Sequence, residues 1–275
     1  MPPLNGFNIE LIMPPGPRRP PRVALFDFDG TLSLVRAGWE DVMIPMMVSA
    51  LRQAPQAEGD DALTALVTEF VRALTGQQTI VQFNRLAQEF ARRGGSLDPE
   101  AFKAEYVARL AVQVDGRRAA LAAGTLTTAQ LRVPGALEFV EALRARGVIC
   151  YLASGTDEPF VKAEAALLEF DPHMTRIWGA LPGQGQPIKL AAVVHIVREH
   201  SLAPGEWISC GDGPAEIEYA RSAGGVAVGV ATDEAARGPV NAWKRDRLIA
   251  AGAQLIVPDF SAHAALARYL FAEDQ

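Results

Sequence analysis

The sequence predicts an α/β protein, a parallel β-sheet covered by helices on both faces, with an all-helical block inserted after the first strand. Three observations carry this reading. Residues 23–27 form an apolar run that reads as a core strand, and no second strand pattern follows until beyond Pro134. From there to the chain's end, strand and helix patterns alternate. The later strands are continuous apolar runs rather than alternating ones, as expected of strands buried on both faces. The first strand has no partner of its own and must join them. The expected organisation is therefore a leader over 1–21, a core built from 22–34 and 133–275, and a helical block over 35–132.

Taken in order, the leader is rich in proline and lacks the apolar core of about seven residues that a signal peptide needs. It is expected to be flexible or loosely packed. In the helical block, Pro45 interrupts the pattern around Trp39–Leu51 and predicts a broken or kinked helix. From Asp61 to Leu74, the residues Leu63, Leu66, Val67, Phe70, Val71 and Leu74 make an i, i+3, i+4, i+7 stripe. A helix from about Gln78 to Arg93 should bury Val81, Leu86 and Phe90 and stop at Gly94-Gly95. Asp98-Pro99-Glu100 reads as a helix start, with Asp98 as N-cap and Pro99 at the first position. That helix should bury Phe102, Tyr106 and Leu110 and fray near Gly116.

Beyond Pro134, a helix is expected over Gly135–Arg146, ended by Gly147, then a strand over Val148–Ala153. Further strands are expected over Ile177–Leu181, Trp207–Cys210, Val226–Val230 and Leu255–Val257, with a helix over Ile188–His200. Cys150 and Cys210 both lie in apolar strands and read as small buried hydrophobes, which suits a reducing compartment, here the cytoplasm. The chain has 275 residues, 49% of them hydrophobic and 21% charged, which is ordinary for a globular protein. Its net charge of -6 argues against a nucleic-acid-binding surface. No apolar stretch reaches the roughly 18 residues of a membrane span.

The chemistry begins where the first strand ends. Asp27 and Asp29 stand one residue apart at the end of an apolar run, followed by Gly30-Thr31. Alone, such a pair would cap a turn. At the end of a core strand, buried charge is costly unless paired or metal-bound. One carboxylate can attack phosphorus and split hydrolysis into two easier steps. The other can protonate the leaving oxygen and then activate water. Gly30 and Thr31 would let backbone N–H groups and a hydroxyl close around phosphate oxygens.

Ligands of such sheets sit at the carboxyl ends of the strands, and reactive residues recur there. Ser154-Gly155-Thr156 offers a hydroxyl and a tight turn after the second core strand, with Asp157 read as the next helix's N-cap. Lys189 lies in the first turn of a helix, where a cation is mildly unfavourable unless an anion is held nearby. A solvated surface lysine is the alternative. Cys210-Gly211-Asp212-Gly213-Pro214-Ala215-Glu216 places two acids four residues apart at a strand-to-helix junction. Glu216 alone would suit the helix dipole, whereas Asp212 has no such explanation. Magnesium takes a few carboxylates, phosphate oxygen and waters. Asp27, the backbone carbonyl of Asp29, and Asp212 would supply the protein's share, with Glu216 bound directly or through water.

The run Asp27-Phe28-Asp29-Gly30-Thr31 resembles the first motif of the haloacid dehalogenase-like (HAD) hydrolases. Ser154, Lys189 and Asp212 follow in the order of that family's second, third and fourth motifs, and the resemblance spans about Arg22 to Phe260. It implies a Rossmann-like core with an inserted C1-type helical cap, Mg2+ as cofactor, Asp27 as nucleophile and Asp29 as acid/base. Gly30, Thr31, Ser154, Gly155 and Lys189 would then bind phosphate, with Asp27, Asp29, Asp212 and Glu216 around the metal. In the family, dehalogenases lack the second Asp, ion-pumping ATPases carry Thr and phosphonatases carry Ala. Asp29 therefore implies a phosphatase or a phosphomutase, the hydrolysis of a small phosphorylated metabolite being the commoner outcome.

His173, His195, His200 and His263 show no metal-ligand spacing. Gly183-Gln184-Gly185 reads as a loop rather than a dinucleotide fingerprint, and Trp243-Lys244-Arg245 reads as a surface helix, with a reach into the cleft as the alternative. The polar run Thr75–Thr79 with Gln82 suits hydrogen bonds to a sugar- or polyol-like substrate, or is simply a solvated turn. This makes Gln78, Thr79 and Gln82 candidates for substrate selection, with Arg36 as a second anion contact. A non-catalytic phosphate-binding module is the remaining alternative, which the presence of all three aspartates disfavours.

Overall fold

The computed structural model describes residues 8–14, 19–181 and 187–273. The chain divides into two compact units, with boundaries after Ala37 and before Leu126. One unit holds a seven-stranded sheet in the order β1-β7-β6-β5-β2-β3-β4. Its strands are β1 (Glu10–Leu11), β2 (Val23–Phe26), β3 (Ile149–Asp157), β4 (Arg176–Ala180), β5 (Trp207–Gly211), β6 (Val226–Val230) and β7 (Leu255–Val257). Every pairing is parallel except β1 with β7. The chain runs outward through β2, β3 and β4, then crosses back to place β5 on the other side of β2. The gap between the ends of β2 and β5 is therefore the topological switch point, where open α/β sheets bind ligands.

The other unit is all-helical: α1 (Trp39–Leu51), α2 (Asp60–Ala73), α3 (Thr79–Arg92) and α4 (Pro99–Ala122). α1 carries Pro45 without a break, because Met43, Met46, Met47 and Leu51 are buried around it and packing outweighs one lost hydrogen bond. α4 likewise runs through Gly116. Tyr106, Leu110 and Val114 are buried along it, and their packing outweighs the roughly 1 kcal/mol that an interior glycine costs. Asp98 caps this helix as expected, its side chain accepting from the Glu100 N–H at 3.0 Å, while Phe102 is only half-buried. In α3 the buried stripe is Gln82, Phe83, Leu86 and Glu89 rather than Val81, Leu86 and Phe90.

In the sheet unit, α5 (Ala136–Arg144), α6 (Glu158–Leu167), α7 (Ile188–Glu199), α8 (Pro214–Ser222), α9 (Ala242–Ala250) and α10 (His263–Leu270) alternate with the strands. Val23 and Leu25 of β2 pack in a cluster with Ile188 and Ile196 of α7, Ile217 of α8 and Leu248 of α9. Phe26, one residue on, meets the Phe139 ring of α5 edge-on at 6.1 Å on the opposite face. The period-two alternation of β2 thus feeds two cores.

Three boundaries differ from expectation. The leader is not wholly free, because Glu10–Leu11 pairs with β7 and Ile9 is buried. Arg245 of α9 fixes that strap through Glu10, the shortest contact being 2.7 Å. The helical unit is smaller than 35–132, since the Leu34 N–H donates to the Leu131 carbonyl at 2.8 Å and the Val133 N–H to the Leu32 carbonyl at 3.0 Å. The stretches leading out of and back into the sheet are thereby zipped together. β3 runs on through Ser154, Gly155 and Thr156 instead of turning there, with a register shift against β4 between Ala153 and Asp157. The Gly183-Gln184-Gly185 loop lies outside the described residues, as do residues 1–7 and 15–18 of the leader. No described helix is long and apolar enough to cross a membrane.

Candidate active site

Asp27 is the first residue past β2, and its N–H still donates to the Cys210 carbonyl of β5 at 2.9 Å. The nucleophile candidate is thus fixed by the central strand's own hydrogen bonds. The chain then closes on itself, the Phe28 carbonyl accepting from the N–H groups of Thr31, Leu32 and Ser33. Gly30 adopts a left-handed φ of +74°, and its N–H donates to the Ser33 carbonyl at 2.9 Å. The N–H groups of Gly30 and Thr31 are therefore used inside the turn and do not face a phosphate as expected. The N–H groups of Phe28 and Asp29 donate to no described residue. The Thr31 hydroxyl is buried without a hydrogen-bond partner.

Lys189, in the first turn of α7, is buried with its Nζ 2.8 Å from Asp27 Oδ1 and 3.2 Å from Glu216 Oε2. The anions that offset its place at a helix start are these two carboxylates. Burial opposes its charge, but Asp27 and Glu216 outweigh that and hold the ammonium protonated above its usual range. Burial pushes the Asp27 carboxyl well above the ordinary carboxylate range. Lys189 draws it back, while Glu216 and Asp212 add to the rise.

Asp29 points away from this group. Its Oδ2 accepts from the Thr156 hydroxyl at 2.8 Å and the Ser154 hydroxyl at 3.4 Å. The register shift in β3 is what brings both hydroxyls to it, and the Ser154 Oγ also accepts from the Thr156 N–H at 3.1 Å. Gly155 lies between them on the strand. Asp29 Oδ1 is buried without a hydrogen-bond partner and stands 3.9 Å from Arg36 Nε. Arg36 reaches the site but is already held by the buried Glu164 of α6 at 2.6 and 3.0 Å. A second anion contact would share it with that carboxylate. Asp157 precedes α6 as its N-cap, yet its side chain makes no capping bond.

Asp212 follows β5, and its Oδ2 accepts from Lys244 Nζ at 2.8 Å. The same ammonium lies 2.8 Å from Glu234 Oε1. Lys244 is 9% exposed, so the surface reading fails for this residue, although Trp243 beside it is exposed. Lys244 and Leu248, four residues apart, are the two buried positions of α9, and that spacing was the available signal. Glu234, in the segment after β6, offered none.

Oxygens of Asp27, Asp212 and Glu216 lie within 4.8 Å of one another. An all-oxygen set suits a hard divalent cation such as Mg2+. The charge balance agrees: the four carboxylates of Asp27, Asp212, Glu216 and Glu234 are met by the two ammonium groups of Lys189 and Lys244, while Asp29 stands 3.9 Å from Arg36. Buried charge of one sign is costly, and a divalent cation would cancel most of the excess. Glu216 is partly committed elsewhere, since its Oε1 accepts from the Gly213 N–H at 2.7 Å at the start of α8. Asp27 and Asp212 are the freer ligands. The carboxylate of Asp29 is not in the group.

The substrate-selecting candidates fall in the helical unit. Gln78 is the N-cap of α3 without a side-chain capping bond, and Thr79 is the first helical residue; both are half-buried. Gln82 is buried at 5% exposure with Nε2 3.4 Å from the Val71 carbonyl. That contact holds its amide between α2 and α3.

Solved structures similar to this chain include one described as a predicted phosphoglycolate phosphatase from Haemophilus somnus, with 19% identity and a TM-score of 0.56, covering 90% of this chain and 98% of that one. A beta-phosphoglucomutase from Clostridium difficile matches with 16% identity and a TM-score of 0.59, covering 92% and 98%. A hydrolase from Pseudomonas syringae matches with 16% identity and a TM-score of 0.53, covering 88% and 97%. At these identities the likeness concerns the fold. No curated protein matches the chain. The model of the haloacid dehalogenase-like hydrolase family matches residues 21–224, a span that holds Asp27, Asp29, Ser154, Lys189, Asp212 and Glu216, and the chain belongs to that family.

Proposed function

We propose that the protein is a magnesium-dependent phosphatase that hydrolyses a small phosphorylated metabolite, sugar- or polyol-phosphate-like, through an aspartyl-phosphate on Asp27. The observation that carries this reading is the Asp27 carboxylate, locked by the central strand, 2.8 Å from a buried lysine and grouped with Asp212. In the first step, an Asp27 oxygen forms a bond to phosphorus as the bond to the leaving oxygen breaks. Lys189 offsets the charge on the phosphoryl oxygens. Asp27 and Asp212 would hold a Mg2+ ion, which would supply further charge neutralisation and orientation of the phosphate. The Thr31 and Ser154 hydroxyls and the N–H groups of Phe28 and Asp29 are the remaining donors. Asp29 is the general acid that gives a proton to the leaving oxygen. It then takes a proton from the water that attacks phosphorus and releases Asp27. To reach the leaving oxygen, Asp29 must exchange its bonds to Thr156 and Ser154, and Arg36 beside Oδ1 steadies it.

A phosphomutase is the second reading, favoured by the likeness to the Clostridium difficile mutase fold. Gln78 and Thr79 are proposed to contribute to substrate choice. The test is release of inorganic phosphate from p-nitrophenyl phosphate with magnesium, after EDTA, and with zinc in its place. Turnover is expected to vanish with EDTA and return with magnesium, without any need for zinc. Asp27→Asn should lower it by at least ~10³-fold, the scale seen when a catalytic unit is broken. Full activity in EDTA or in Asp27→Asn sinks the mechanism. A screen of phosphorylated metabolites, followed for both phosphate release and isomer formation, separates phosphatase from mutase.

A further inference from the structure

Resting on that reading, the Lys244–Glu234 pair has a role that the hydrolytic steps do not use. Lys244 lies in the first turn of α9, where a cation opposes the helix dipole. Its ammonium is buried between Asp212 Oδ2 and Glu234 Oε1, at 2.8 Å from each. A bridge between Thr232 and Val240 closes the segment that carries Glu234. A methyl group built on Gly30 would stand 2.2 Å from Asp212 Oδ2 and 3.2 Å from Glu234 Oε1, so both carboxylates crowd the turn after Asp27.

We propose that Lys244 is a built-in counterion that sets how tightly the acid pocket holds its divalent cation, and that Glu234 opposes it. Any cation bound between Asp27 and Asp212 shares Asp212 with the Lys244 ammonium. Like charges at this separation repel strongly where water is excluded. Lys244 therefore weakens metal binding while keeping the metal-free pocket from flying apart. Glu234 draws Lys244 toward itself and adds negative charge, which strengthens metal binding. Neither residue is a metal ligand in this scheme. A purely structural role makes a different prediction, because disturbing either side chain would then loosen the metal.

The experiment uses the full-length chain freed of metal, titrated with Mg2+ by calorimetry and by thermal unfolding. Lys244→Met is expected to bind Mg2+ roughly tenfold tighter. Its metal-free melting temperature should fall, and its magnesium-induced rise should exceed that of the wild type. Glu234→Gln should bind roughly threefold or more weaker. The double variant restores the charge balance and should return to within about threefold of the wild type. If Lys244→Met does not fold, Glu234→Gln and the double variant carry the test. Unchanged or weaker binding in Lys244→Met, both single variants shifting the same way, or a double variant far from wild type each overturns the inference alone. No magnesium response in the wild type overturns the metal reading and the inference with it.

Discussion

Gly30→Ala is a small change with a large expected effect. The glycine holds φ at +74°, a left-handed conformation that costs an L-residue about 1–2 kcal/mol. Its added Cβ would lie 2.2 Å from Asp212 Oδ2 and 2.8 Å from Asp212 Cγ. An unstrained contact is longer by about 1 Å, so Asp212 must retreat by that much. It cannot swing freely, since Lys244 holds the same oxygen at 2.8 Å. A misplacement of about 1 Å in catalytic geometry costs on the order of 10²-fold in rate. Gly147→Ala is the matched control, because Gly147 has φ of +81° and no atom within 4 Å of the built Cβ. Both variants should lose about 1–2 kcal/mol in urea unfolding. Per folded molecule, only Gly30→Ala should lose roughly 10²-fold in phosphate release and need more magnesium. Equal kinetics in the two variants would refute the claim that Gly30 is there to let Asp212 approach.

Asp29→Asn should cripple hydrolysis by about 10²- to 10⁴-fold while letting a phosphoryl group accumulate on Asp27, seen as added mass on the intact chain; an unmodified chain with normal turnover contradicts the assignment. Burial pushes the Cys150 thiol up to about 12 and the Cys210 thiol higher still, so a disulfide reagent at neutral pH should label neither until the protein unfolds. Arg245 hydrogen-bonds Glu10 and holds its carboxyl below the usual range. The folded state then binds fewer protons than the unfolded one, so this stabilisation is present above the ordinary carboxylate range and lost as pH falls through the folded value. Urea midpoints between about pH 3 and 7 should therefore fall less steeply with acid in Arg245→Met than in the wild type.

The part of the site that the sequence made legible is the part that breaks a local rule. Asp27 and Asp212 are acids set directly after apolar strands, and Lys189 is a cation at a helix start, so each asked for a partner that only tertiary structure could provide. Lys244 also stands in a helix's first turn, but as one basic residue among three on a polar helix its place was masked, and only its spacing to Leu248 set it apart. Glu234 sits in an irregular segment where no periodicity operates. The continuation of β3 past Ser154 depends on a register shift against β4, a feature of pairing rather than of composition. In the helical unit the stripe of α3 is turned by about one residue because Gln82 and Glu89 are buried with partners, Val71 for one and Arg93 for the other. Apolar spacing cannot see polar residues that are buried in pairs.

The zipped stretches at Leu32–Leu34 and Leu131–Val133 make the helical unit a guest whose two attachment points are already held together by its host. A short turn could join them without moving either end. By loop-closure entropy, exchanging the whole unit for such a turn would favour folding of the sheet unit by only about 2 kcal/mol. The sheet can thus tolerate wide variation in what is inserted there, and the inserted segment is free to diverge in length and sequence while the strand that carries Asp27 stays where it is.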